Sequence, residues 1–441
     1  MEKFYEIAEK LYYIYNNLPK FIKIIIKLIY SILLVIYKIF RNIYRLIKRI
    51  FRKPSKENTN KVNYISSNST GQIIKNDYYV KKKITNNFKI SWIIPLPQKG
   101  SGGHRNFFRI IGYLGKKGYD VTVYIDNKRS TSPDPVYSGV EAQEFIKNNY
   151  FDLQANIIYG TENIEKCDAL VATHFESAYI VKANEKKAKK LFYFIQDYES
   201  YFTPMGDDFI RAHQSYKLGL YPITSGPWPL NFLKKDFGVK EGYSFYFPLD
   251  RSIYNYNGQK KDDMSIVFFA KPGMPRRCYR LGVDALKIVK EELPDVTIHF
   301  YGENSVSYKN VPFDFVDHGL VPNIRLLGDL YRKMEIGLAF STTNPSLVPY
   351  EMSCCGVAVV DLDYNDNIIN YGNDYNNITL AEPFAEEIAK KIISLLINKE
   401  LRETKVKNAI KYCDIFPSEE QMCLGIEKEI LKVCGENAKN K

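Results

Sequence analysis

From Phe88 onward the chain alternates short apolar runs with amphipathic stretches of helical length. FKISWIIPL reads as a buried strand, residues 104–117 as a helix and YDVTVYID as the next strand. NIIYG, DALVATHF and KLFYFIQD repeat the apolar runs, with residues 176–190 as an intervening helical segment, and YPITSG and YSFYFPL close this half near Asp250. After the polar joint YNYNGQKKDDMS the alternation restarts with SIVFFA, a helix over 279–292 and VTIHFYG. A helix over 323–333, IGLAFS, a short helix near Tyr350, VAVVDL and three closing helices near 384–397, 400–413 and 417–434 complete it. Such alternation predicts α/β architecture with parallel sheets. We expect two Rossmann-like domains, 87–250 and 251–441, facing each other across a cleft, with ligands at the carboxyl ends of the strands.

The first 53 residues follow another pattern. Lys20, Lys23, Lys27, Ser31, Lys38, Arg41, Arg45, Lys48 and Arg52 recur in steps of three, four and seven, which puts them on one helical face with Ile, Leu, Phe and Tyr on the rest. The longest uncharged run in this stretch, 28–37, is too short for a spanning helix of about 20 residues. The expectation is a basic amphipathic helix lying on an anionic membrane, peripheral at the cytoplasmic face. Glu2, Glu6 and Glu9 precede it and no small-residue cleavage site follows, so it does not read as a signal peptide. Residues 54–86, rich in Asn, Ser, Thr and Lys, read as a flexible tether.

Charge changes the picture only by its placement. The chain of 441 residues carries a formal +12, but residues 1–53 hold twelve Lys and Arg against three Glu, so most of the excess belongs to the basic arm. The near-neutral remainder argues against a nucleic-acid partner. Seven scattered cysteines without a CxxC pair suit neither a zinc site nor a disulfide framework, and fit a reducing compartment.

Three stretches carry candidate chemistry. PLPQKGSGGHRNFF places Ser101, Gly102, Gly103 and His104 between a strand and a helix, where free N–H groups suit an anion. Its spacing is neither that of a dinucleotide fingerprint nor that of a P-loop. FFAKPGMPRRCYRLG gathers Lys271, Arg276 and Arg277 at a strand's carboxyl end, cations that a diphosphate leaving group requires where no metal neutralises it. FSTTNPSLVPYEMSCCGVAVV sets the hydroxyls of Ser341 and Thr343, with Tyr350 and Glu351, around a helix start. There a carboxylate is favoured by the dipole and could accept bonds from ribose hydroxyls. His104, His174 and Asp197 follow strand ends and are candidate general bases or sugar-orienting groups. The DLD at 361–363 is not read as a metal site.

On these residues the chain resembles a family. PYEMSCCGVAVV is similar to the E-x-x-x-x-G-x-P-V signature of retaining nucleotide-sugar glycosyltransferases of family four. The glycine loop, FIQDYESYFTPMG and AKPGMPRRCYRLG look like WsaF-type rhamnosyltransferases. The resemblance implies the GT-B fold, a donor held mainly by the second domain, and an acceptor glycan, free or lipid-linked, met by the first. It implies L-rhamnose from dTDP-L-rhamnose as the transferred group and no required cofactor. Ser101, Gly102 and Gly103 would approach the diphosphate or sugar across the cleft, Lys271 with Arg276 or Arg277 would hold the diphosphate, and Glu351 would bind ribose. A same-fold enzyme using a UDP- or GDP-sugar, or an inactive binding scaffold of a glycan-assembly complex, are the alternatives. One departure stands out: Glu351 matches the second glutamate of the family's paired motif, but eight residues earlier, where the family has the first, this chain has Thr343. Whether transfer retains or inverts configuration stays open.

Overall fold

Two parallel sheets organise the chain in a computed structural model that describes residues 78–79, 86–129, 132–133, 136–304, 308–321 and 323–435. The first contains β1 (Tyr78–Tyr79), β2 (Asn86–Pro95), β3 (Tyr119–Asp126), β4 (Asn156–Tyr159), β5 (Cys167–Ala172), β6 (Ala188–Ile195), β7 (Tyr221–Ser225) and β8 (Tyr243–Phe245). Their order is β1-β4-β3-β2-β5-β6-β7-β8, parallel except where β1 pairs antiparallel with β4. The second contains β9 (Ser265–Phe269), β10 (Thr297–Tyr301), β11 (Val316–Asp317), β12 (Ile336–Leu338), β13 (Ala358–Leu362) and β14 (Thr379–Ala381), all parallel in the order β11-β10-β9-β12-β13-β14.

The apolar runs become central strands because both faces of such a sheet are covered. β2 lies between β3 and β5, and its residues Trp92, Ile93 and Ile94 are fully buried. Helix α1 (Gly102–Lys116) lays Phe107, Phe108, Ile111 and Leu114 on that sheet. It approaches so closely that a Cβ at Gly115 would stand 2.1 Å from the Leu153 carbonyl oxygen. In the second sheet Phe268, Phe300 and Phe340 form the aromatic centre, under α6 (Tyr279–Glu292) in the slot expected for it.

The predicted amphipathic arm and most of the tether lie outside the described residues. At the end of the tether, Tyr78–Tyr79 pairs with Ile157 and Ile158, so the first sheet begins earlier than composition suggested. The second difference is at the other end. Sequence order assigned the closing helices to the second domain, but α11 (Glu419–Val433) packs Met422, Cys423, Ile426 and Ile430 into the first core. The reason is complementarity: its apolar stripe fits that core, and Glu427 accepts hydrogen bonds from Tyr113 at 2.8 Å and Tyr119 at 2.6 Å. The described residues form one compact unit.

Candidate active site

Parallel strands end on the same side, and the loops leaving β2, β5, β6, β9 and β12 meet around a cavity of about 630 Å³ between the two halves. Gly102, His174 and Glu199 line it from the first half, and Arg276, Arg277 and Glu351 from the second.

The glycine loop is held from within. Ser101 caps α1, accepting the His104 N–H at 3.3 Å. The His104 ring lies 3.1 Å by Nε2 from the Leu96 carbonyl and 2.8 Å by Nδ1 from the Ser101 hydroxyl. A carbonyl can only accept, so Nε2 carries the proton and Nδ1 receives the Ser101 hydroxyl. Burial pushes the ring's pKa down to about 4, which keeps it neutral. With both nitrogens engaged, His104 shapes the loop and is withdrawn from the role of base. Gly102 and Gly103 face the cavity, and a Cβ at Gly102 would meet nothing within 4 Å. The helix start therefore opens towards a ligand with no acidic residue in its first turn.

His174 precedes α3 (Phe175–Ala183) at the end of β5. Among the described residues neither ring nitrogen has a hydrogen-bond partner, and Nε2 lies 4.0 Å from the Asp126 carboxylate. Burial lowers its pKa to about 3, so it is a neutral imidazole at the cavity wall. Glu199, which sequence reasoning passed over, accepts the Phe175 N–H at 2.9 Å and the Tyr193 hydroxyl at 3.0 Å. Burial pushes its carboxyl up to about 7. The available signal was a carboxylate two residues beyond Asp197 at the end of the same strand.

Asp197 is one of the contacts between the halves. Its Oδ2 accepts the Thr343 hydroxyl at 2.9 Å, and its Oδ1 accepts the Asn344 N–H at 3.2 Å. The Asn344 amide returns two bonds, to the carbonyls of Gln196 at 2.9 Å and Ser225 at 2.8 Å. Thr343 is thus turned to the first half, while Ser341 is fully buried with its hydroxyl donating to the carbonyls of Thr343 and Asn344. Neither hydroxyl lines the cavity, which corrects their assignment to phosphate: their bonds fold and dock the loop.

Arg276 and Arg277 sit in a short 3-10 turn before α6. The Arg276 guanidinium lies 5.0 Å from the Phe202 ring centroid, and its Nε lies 3.8 Å from Asp197. Arg277 is 5% exposed; burial and the neighbouring Arg276 bring its pKa down to about 10. Lys271 turns elsewhere: its Nζ donates to the Gly302 carbonyl at 2.5 Å and pairs with Glu303 at 3.3 Å, away from the cavity. Three expected cations are therefore two at the cleft. Glu351 stands in the first turn of α8 (Val348–Cys354), and burial pushes its carboxyl up to about 7. No hydrogen-bond partner holds its carboxylate among the described residues, in contrast to Tyr350 beside it, whose hydroxyl donates to the Asn370 carbonyl at 2.9 Å.

Asp361 is fully buried and accepts from Ser341, Leu362, Asn367 and Tyr371, so the DLD stretch serves the fold. Among the described residues no cluster of three or more His, Cys, Asp or Glu is arranged to hold a metal ion.

Two facing parallel-sheet domains with this cleft define the fold of the GT-B glycosyltransferases. Sucrose-phosphate synthase from Thermosynechococcus elongatus superposes with a TM-score of 0.56 at 11% identity, covering 79% of this chain and 100% of that one. Anabaena HepE, solved in complex with UDP, gives 0.58 at 12% identity, covering 78% and 100%. More particularly, residues 264–393 match the family described as WsaF, C-terminal domain. The O-antigen biosynthesis protein RfbC of Myxococcus xanthus is 32% identical over 253 residues, 55% of this chain; the match spans 19% of that protein, about a fifth of its length.

Proposed function

We propose that this chain is a glycosyltransferase of surface-polysaccharide assembly, taking a sugar from a nucleotide-sugar donor. The finer reading is L-rhamnose from dTDP-L-rhamnose onto a growing, lipid-linked glycan. The observation that carries it is the convergence of two arginines, an unpartnered carboxylate and an open glycine loop on one cavity. In this reading Arg276 and Arg277 neutralise the diphosphate as it departs, Glu351 takes the ribose hydroxyls, and Gly102 and Gly103 close over the diphosphate or sugar. His174, neutral and without a hydrogen-bond partner, orients a sugar hydroxyl. The match to WsaF and the similarity to an O-antigen biosynthesis protein support the reading of surface-polysaccharide assembly.

The basic arm would hold the enzyme at the cytoplasmic membrane surface, where a lipid-linked acceptor resides. Removing residues 1–53 should abolish co-sedimentation with anionic vesicles; unchanged sedimentation overturns the arm's role. Donor chemistry is tested by calorimetric titration of the full chain with dTDP, UDP and GDP, without metal and with magnesium. Preference for dTDP without metal supports the finer reading. Preference for UDP or GDP replaces the donor, and no binding turns the assignment to a scaffold.

A further inference from the structure

Asp197 leaves the carboxyl end of β6 in the first half, yet much of what surrounds its carboxylate belongs to the second. Thr343 and Asn344 donate to it, and Arg276 stands 3.8 Å from Oδ2; its own half supplies the Tyr198 N–H at 2.8 Å. The residue is 6% exposed and lines the cavity beside Arg276. Burial is the largest influence and holds its carboxyl above the ordinary value of 3.8, while Arg276 and the three donors pull the other way and limit the rise.

Building on the glycosyl-transfer reading, we infer that Asp197 is the carboxylate that faces the transferred sugar, supplied by the first half and held in place by Thr343 of the second. Arg276 marks where the departing diphosphate lies, so the carbon bonded to it must lie within a few ångströms, on the cavity side where Asp197 stands. As the carbon–oxygen bond breaks, its electron pair goes to the diphosphate and positive charge develops on the sugar ring. The acceptor hydroxyl oxygen forms the new bond, and its proton leaves with the diphosphate or to solvent. Asp197 forms no bond and takes no proton; it contributes a fixed negative charge in a water-poor site. Because its donors come from both halves, that charge is set in position only when the halves are docked. Thr343 is what the arrangement requires: it is short and donates a hydrogen bond, whereas a glutamate there would press a second carboxylate against Asp197.

The test uses the full chain with Asp197→Asn, Thr343→Glu and the double variant. Binding of dTDP, UDP and GDP is followed by calorimetry, and turnover by release of nucleoside diphosphate from dTDP-L-rhamnose, UDP-glucose and GDP-mannose. Asp197→Asn should bind the same nucleotide within about threefold while release slows by about 100-fold, the scale seen when a transition-state charge partner is lost. Thr343→Glu should also be slow, and the double variant about tenfold faster than either single, because one carboxylate is restored from the other side. Release by Asp197→Asn within threefold of the unaltered chain overturns the inference. So does a double variant no faster than Asp197→Asn while its melting temperature and nucleotide affinity are unchanged. Failure of the unaltered chain to bind any of the three nucleotides instead overturns glycosyl transfer itself, and this inference with it.

Discussion

The indole N–H of Trp228, in the helix Pro227–Phe237 of the first half, donates a 2.6 Å hydrogen bond to the carbonyl of Asn365 in the second. Together with the Asp197–Thr343 bond and the Lys235–Asp366 pair it joins the two halves beside the cavity. Trp228→Phe keeps the stacking on Phe232 and removes this bond, at a cost of about 1 kcal/mol. Amide hydrogen exchange should accelerate in residues 363–367 while the two sheet cores stay protected.

The cations of the second half should separate by function. Arg276→Ala is expected to weaken nucleoside diphosphate binding by about 10- to 100-fold, the range for a charge-assisted contact. Lys271→Ala should leave it within about threefold and lower thermal stability, since Gly302 and Glu303 lose their partner. Equal losses of affinity in titration would show Lys271 swinging into the cleft.

Glu351 and Glu199 both have carboxyls pushed up to about 7 by burial, against an ordinary value of 4.5. Between those values the folded chain holds protons that the unfolded chain has released. The stability they contribute is full below about 4.5 and is lost as pH rises through about 7. Glu351→Gln should therefore flatten the decline in melting temperature from pH 5 to pH 8, with Glu199 accounting for the slope that remains. Nucleotide binding should run the other way and strengthen from pH 6 to pH 8, because ionised Glu351 is the better acceptor for ribose hydroxyls. Glu351→Gln should remove that dependence in calorimetry.

Gly115 tests the packing that aims the glycine loop. A Cβ there would clash with backbone, the Leu153 carbonyl oxygen, rather than with a side chain able to move. Gly115→Ala should lower stability by about 1–3 kcal/mol, measured by denaturant unfolding.

Much of this was legible in the pattern of the chain. The helix at 279–292 and the strands around Trp92 and Phe268 follow from periodicity, because buried parallel strands and amphipathic helices have distinct sequence periods. Arg276 and Glu351 could be placed at the cleft because strand ends were legible. What the pattern did not carry was direction. Lys271 and Arg276 lie five residues apart in one loop, and nothing local tells which turns inward; the carbonyl of Gly302 that captures Lys271 lies 31 residues away. The same holds for Thr343, whose partner Asp197 is 146 residues upstream, and for Glu199, whose neighbours are set by a turn of the fold.

The closing helix α11 has a consequence for the order in which the protein can be made. Tyr113 and Tyr119 wait for Glu427 across 314 and 308 residues, and the first core lacks Met422, Cys423, Ile426 and Ile430 until that segment emerges. The second sheet has its whole complement of strands before then. On a ribosome the half synthesised first is thus the half sealed last, and the apolar groove reserved for α11 stays uncovered while the rest of the chain is translated.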